Sequence, residues 1–149
     1  MTLQFPVDNM LTSKVFINQA GLELKRAERY RVFVSLVVLD LPFIREKESL
    51  PKELSTGAIT DIIRQNVRAS DNFSFLDDHS VAILFPETSR QGAEVTARRI
   101  SEAIRHQVKV VTGNGVGDVI PLEMASYPDS GGARTVAEFL TVLADRKVS

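Results

Sequence analysis

Phe33-Val34-Ser35-Leu36-Val37-Val38-Leu39-Asp40 is a nearly unbroken apolar and β-branched run that stops abruptly at a carboxylate. A run of that length without polar alternation predicts a central, buried strand, because only a strand covered by other elements gains from apolar side chains at successive positions. The flanking segments have a different period. Leu11, Val15, Phe16, Ala20, Leu24 and Ala27 recur at helical spacing and lead into the polar run Lys25-Arg26-Ala27-Glu28-Arg29, which predicts a helix over 11–27. Leu54, Ala58, Ile59, Ile62, Ile63 and Val67 repeat at three and four and predict a second helix around 53–69. Phe73-Ser74-Phe75-Leu76 and Val81-Ala82-Ile83-Leu84-Phe85 flank Asp77-Asp78-His79-Ser80, the pattern of two strands joined by a tight hairpin.

Pro86 ends the second hairpin strand, Thr88 with Gln91 makes a capping box, and Ala93, Ala97, Ile100 and Ile104 mark the buried stripe of a third helix. Val108–Val111, a Gly-rich link, Val119–Tyr127 and Val136–Ala144 then read as strand, turn, strand and final helix. The predicted order is α-β-α-β-β-α-β-β-α. Hairpins mixed with helical connections point to an α+β, ferredoxin-like fold with a mixed, mainly antiparallel sheet flanked by helices. The 149 residues contain no repeat and no Pro/Gly/Ser-rich linker, so 1–149 is read as a single domain.

Composition removes several functional classes. Lys and Arg total 18 against 19 Asp and Glu, a formal charge of -1, so no general nucleic-acid partner is expected. Without cysteine the chain has no disulfide framework, Cys-based zinc site or thiol nucleophile. No apolar run reaches the roughly 18 residues of a membrane span, and Met1-Thr2-Leu3-Gln4-Phe5-Pro6 lacks a basic leader, so the domain is expected to be soluble with no direct membrane contact.

Longer-range spacing carries a resemblance. Arg26-Ala27-Glu28-Arg29 stands eleven residues before the carboxylate of Leu39-Asp40-Leu41-Pro42-Phe43-Ile44-Arg45. Arg68-Ala69-Ser70-Asp71 is followed after six residues by Asp77 and then by Val81-Ala82-Ile83-Leu84-Phe85-Pro86-Glu87-Thr88. Ala125-Ser126-Tyr127-Pro128-Asp129 and Ala144-Asp145 complete the series. In this order and at this spacing they resemble the GGDEF domain of diguanylate cyclases, over nearly the whole chain. The resemblance implies a palm-type α+β fold, a bacterial cytoplasmic setting and a place in signal transduction, with this domain one part of a longer signalling protein.

Departures from the family pattern bear on activity. Where the family has Gly-Gly-Asp-Glu-Phe, this chain has Asp77-Asp78-His79-Ser80-Val81. The resemblance implies that the residue at the His79 position should bind metal together with Asp40, and that a Glu at the Ser80 position belongs to the catalytic centre. Only Asp40 survives. Phosphoryl transfer needs metal ions to neutralise charge on the phosphate oxygens, and a neutral His with a Ser does not replace two anionic ligands for Mg²⁺. The family's glycines let a nucleotide lie close to the backbone, whereas Asp77 and Asp78 set carboxylates there. Pro42 takes a carboxylate and an N–H from the neighbouring loop, and Glu46-Lys47-Glu48-Ser49-Leu50-Pro51 offers no clear guanine-reading Asn or Asp. Pro121-Leu122-Glu123 and Asn9-Met10-Leu11-Thr12-Ser13 also depart from the family's motifs. Diguanylate cyclase activity is therefore expected to be lost, with no catalytic residue, metal or cofactor. Asp40, Asp77, Asp78, His79 and Ser80 remain as active-site remnants.

A second family site is retained. The resemblance implies that Arg-x-x-Asp before the hairpin, here Arg68 and Asp71, binds intercalated cyclic di-GMP, helped by an arginine on the next helix, here Arg99. A guanidinium can fork onto a guanine Hoogsteen edge or a phosphate and stack on a base, while a carboxylate accepts from guanine N–H groups. Plainer readings exist: Arg68 can complement a helix C-terminus, Asp71 can close a turn, and Arg99 beside Arg98 suits any exposed helix face. Asp40, Asp77, Asp78 and His79 could be imagined as a metal cluster, but polar residues in a hairpin turn are ordinarily only solvated. With His79 and His106 the only histidines, a Ser80-based hydrolase has almost no choice of base. Gly113-Asn114-Gly115-Val116-Gly117 lies between strand-like stretches and reads as a turn, not a phosphate loop. Three functions follow: a catalytically inactive cyclic di-GMP receptor at Arg68, Asp71 and Arg99; an interaction or homodimerisation module for a signalling protein or attached domain; and a GTP-binding regulator depending on Asp40.

Overall fold

A computed structural model describes residues 9–41, 54–77, 79–113, 120–128 and 134–148. The apolar run becomes β1 (Val34–Asp40), six of whose seven residues are buried, and it lies inside the sheet as predicted. Around it come α1 (Ser13–Tyr30), α2 (Thr56–Asn66), β2 (Asn72–Phe75), β3 (Ser80–Pro86), α3 (Arg90–Thr112), β4 (Leu122–Tyr127) and α4 (Val136–Val148). The strand order is β2-β3-β1-β4. Each named pairing is antiparallel, and a single parallel bridge joins Met10 to Phe73.

Alternation along the strands divides the core into two layers. Val37, Leu39, Val81, Ile83 and Phe73 face Ile59 and Ile63 of α2 and Ala97, Ile100 and Ile104 of α3. Val34, Leu36, Val38, Ala82 and Leu84 face Phe16 and Ala20 of α1 and Val136, Phe139 and Leu143 of α4. Helices on both faces explain why β1 has no polar alternation. Thr12 and Ser55 cap α1 and α2 by accepting from the N–H groups of Val15 and Ala58.

Three expectations need correction. Val108–Val111 is not a strand: α3 continues through it to Thr112, so the described order is α-β-α-β-β-α-β-α. Burial of Val108 extends the Ala97, Ile100, Ile104 stripe by one more turn, and that packing outweighs the modest helix penalty of three valines. Gly113, at φ 78, then ends the helix with its N–H on the Lys109 carbonyl. Next, Ser89 caps α3, accepting from Gly92 N–H at 3.2 Å, while Thr88 is committed elsewhere. Last, Phe33 precedes β1 and is 49% exposed. The readings placed on 42–51, Asp78, 114–119 and Asp129 lie outside the described residues. Among the described residues no helix is long and apolar enough to cross a membrane.

Candidate functional site

Antiparallel pairing of β1 with β3 sets Asp40 opposite Ser80, so Asp40, Asp77, His79 and Ser80 gather where the hairpin turns. Asp77 organises that turn. Its Oδ1 accepts from the backbone N–H of His79 at 2.9 Å, the N–H of Ser80 at 2.9 Å and the Ser80 hydroxyl at 2.7 Å, an Asx-turn with an added hydroxyl. Burial pushes the Asp77 carboxyl up, but the Ser80 hydroxyl, the His79 N–H, the His79 imidazole and the Ser80 N–H together outweigh it and hold it below its ordinary value of 3.8. His79 lies between two carboxylates, with Nδ1 at 2.8 Å from Asp40 Oδ1 and Nε2 at 3.6 Å from Asp77 Oδ1. Asp40, His79 and Ser80 thus line a recess of about 120 Å³ with Val38, Pro121 and Glu123.

This arrangement does not fit the divalent metal that the GGDEF resemblance implies. One Asp40 oxygen already faces an imidazole, and an Asp77 oxygen is taken by three donors. A hard cation such as Mg²⁺ asks for near-octahedral oxygen ligands. Among the described residues no three His, Asp or Glu side chains are grouped to hold a metal ion.

The second cluster forms at the other end of β3, about 20 Å along the strand at roughly 3.4 Å per residue. After α2 the chain turns through Arg68–Asp71, closed by Asp71 N–H on the Arg68 carbonyl at 3.0 Å and by Arg68 N–H on Asp71 Oδ2 at 2.8 Å. The Arg68 guanidinium folds back over the turn. Nη2 reaches Asp71 Oδ1 at 3.0 Å and the Pro86 carbonyl at 2.8 Å, and it also donates to the Thr88 hydroxyl. Arg68 is 56% exposed and Asp71 only 2%, so the carboxylate braces an arginine whose outer edge faces solvent. Arg99 of α3 is held by Asn66, with Nε to its side-chain oxygen and Nη2 to its carbonyl, both at 3.0 Å.

Arg68, Asp71 and Arg99, the three positions singled out from sequence, therefore line one open cavity of about 410 Å³ with Asn66, Phe85, Glu87, Thr88, Ser89, Gly92 and Thr96. The turn-closing role of Asp71 is present as well, since its Oδ2 accepts the Arg68 N–H. Asp78 is outside the described residues. Sequence reasoning missed the side chains that hold the arginines. Thr88, just after Pro86, suits a helix cap by local pattern, whereas Asn66 and Asn9 reach partners 33 and about 60 residues away, which no local pattern announces. Behind Thr88, its carbonyl accepts from the Ser35 hydroxyl at 2.8 Å, and Ser35 shares a buried 2.8 Å bond with Ser126.

No family model matches the chain, and no curated protein matches it in sequence. Solved structures do match in fold. The FimX GGDEF domain from Pseudomonas aeruginosa is similar at TM-score 0.66 and 14% identity, over 99% of this chain and 90% of that one. A PA1120 (TpbB or YfiN) variant from the same organism comprising only the GGDEF domain is similar at TM-score 0.61 and 20% identity, over 98% and 87% of the two chains. The GGDEF domain of DgcB from Caulobacter crescentus, solved in complex with c-di-GMP, is similar at TM-score 0.59 and 17% identity, over 99% and 86%. The chain has the palm-like α+β fold of GGDEF domains, with an antiparallel sheet between helices.

Proposed function

We propose that this chain is a catalytically inactive GGDEF-like signalling domain that binds cyclic di-GMP at Arg68, Asp71 and Arg99 and passes the bound state to an attached domain or partner protein in the bacterial cytoplasm. The observation that carries the reading is the convergence of Arg68 and Arg99, from separate elements, on one cavity within the size range of small-ligand sites. Two guanidinium groups suit a ligand that combines phosphates with guanine edges, and the Thr88, Ser89 and Thr96 side chains add polar lining. The similar DgcB domain was solved with c-di-GMP, which gives the ligand class a precedent in this fold. Loss of cyclase activity is supported at the opposite end of β3, where His79 occupies the side of Asp40 and Asp77 is committed to the turn.

Isothermal titration with cyclic di-GMP tests the proposal, with GTP plus Mg²⁺ and an Arg68→Ala variant as controls. Saturable binding at micromolar or tighter affinity, abolished in Arg68→Ala and absent for GTP, is the expected result. No heat with cyclic di-GMP overturns it and returns the chain to the interaction module, for which Val15 and Leu22, seven residues apart on α1 and 51% and 60% exposed, offer an apolar face. GTP binding that disappears in Asp40→Ala would favour the nucleotide regulator instead.

A further inference from the structure

We propose that Asn9 is a positioning residue for the Arg68–Asp71 site, and that through it ligand occupancy and the seating of the segment leading into α1 control one another. The proposal rests on the reading of that site as the place where a cyclic dinucleotide binds. Asn9 Nδ2 donates across the whole turn, at 3.0 Å to the Arg68 carbonyl and 2.6 Å to that of Asp71, with the Ala69 carbonyl at 3.5 Å. A primary amide has two protons, so the two short bonds use its donor capacity. Those two carbonyls bracket the turn that aims the guanidinium.

The same segment is fastened to the core. Phe73 N–H donates to the Asn9 carbonyl at 2.8 Å, Leu11 N–H donates to the Phe73 carbonyl at 2.8 Å, and the Phe73 side chain is fully buried. Thr12 follows at once as the cap of α1. Within four residues the chain therefore runs from the site-bearing turn, along β2, into the first helix. Displacing the segment would strip the turn of both Asn9 bonds, leaving the Asp71 carbonyl to find water and the Arg68 carbonyl with the Asp71 N–H, and so loosen the main chain from which Arg68 projects. Conversely, a ligand that fixes the Arg68 guanidinium fixes the turn and so favours the seated segment, because coupling between two equilibria is reciprocal.

The test combines cyclic di-GMP titration with amide hydrogen exchange on wild type, Asn9→Ala, Asn9→Asp and Thr12→Ala. Asn9→Asp keeps the shape, removes the donor and turns a carboxylate toward carbonyl oxygens. Both Asn9 variants are expected to weaken binding about fivefold or more, in line with loss of hydrogen bonds to the turn. Ligand should slow exchange at the Leu11 and Phe73 amides in wild type and fail to do so in Asn9→Ala. Thr12→Ala, which loses the α1 cap but keeps the Asn9 bonds, should bind as wild type, separating coupling from general loss of stability. Wild-type affinity in both Asn9 variants, equal weakening in Thr12→Ala, or undiminished protection in Asn9→Ala overturns the proposal. If wild type binds no cyclic di-GMP, the functional reading fails and the coupling is decided without ligand. Arg68→Ala must then speed exchange at Leu11 and Phe73 relative to an Arg98→Ala control, and unchanged exchange overturns it.

Discussion

Two aspartates of this chain do opposite kinds of work with similar means. Asp71 is almost wholly buried, and its carboxylate receives the main chain and guanidinium of Arg68, so it stiffens the group that faces solvent. Asp77 sits at a hairpin turn, where its Oδ1 gathers donors from His79 and Ser80. The consequence for acid stability has a definite sign. The Asp77 carboxyl is held below 3.8 in the folded chain, so the folded state favours the ionised form. That contribution is fully present above 3.8 and is lost as pH falls through the lower folded value. Urea melts taken at successively lower pH should therefore show wild type losing more stability below 3.8 than Asp77→Asn. Parallel curves for the two proteins would mean that the turn does not depend on that charge.

At the scale of elements, what could be read in the sequence was what periodicity encodes. β1, the hairpin and the stripes of α1, α2 and α3 are all visible, because each buries one face or two and the spacing of apolar residues reports it. Two errors share a cause, which is that local chemistry allowed two answers and packing chose. Val108–Val111 satisfied strand propensity, yet Val108 also fell on the buried stripe of α3, and the stripe prevailed. Thr88 and Ser89 are adjacent hydroxyls, either of which could cap a helix. Ser89 does so, and Thr88 turns its side chain to Arg68. Their substitution effects should separate accordingly. Ser89→Ala should cost about 1 kcal/mol of stability in urea unfolding and leave cyclic di-GMP affinity intact. Thr88→Ala should weaken binding about fivefold, because Arg68 loses one of its anchors, with a smaller effect on unfolding. Reversed effects would restore Thr88 as the cap. At the site, the two arginines and Asp71 were legible as types at a spacing, whereas Asn9, Asn66 and the Ser35–Ser126 pair depend on tertiary contacts that only the folded chain reveals.

The molecule as a whole is two apolar layers that share one sheet. Successive residues of β1 and β3 point alternately into the layer under α2 and α3 and the layer under α1 and α4, so the same backbone belongs to both. β1 pairs with β3 from Val34↔Pro86 to Asp40↔Ser80 and with β4 from Val34↔Tyr127 to Leu39↔Leu122, so loosening either layer loosens the ladder that organises the other. The Asp40–His79 recess and the arginine cavity stand at opposite ends of β3 and hang on that ladder too. Leu36, fully buried toward α1 and α4, and Ile83, fully buried toward α2 and α3, allow a direct test. Leu36→Ala and Ile83→Ala should each cost about 2–5 kcal/mol, the range for deleting a buried branched side chain. Each should move a single cooperative transition, so that far-UV circular dichroism and the exchange of amides in all four helices report one common midpoint per variant. A Leu36→Ala protein in which α1 and α4 open while α2 and α3 stay protected would show instead that the layers unfold separately. In that case a ligand at Arg68 and Arg99 would steady only its own side of the sheet, and a state bound there would reach α1 through local contacts such as those of Asn9 and the Arg26–Glu87 ion pair.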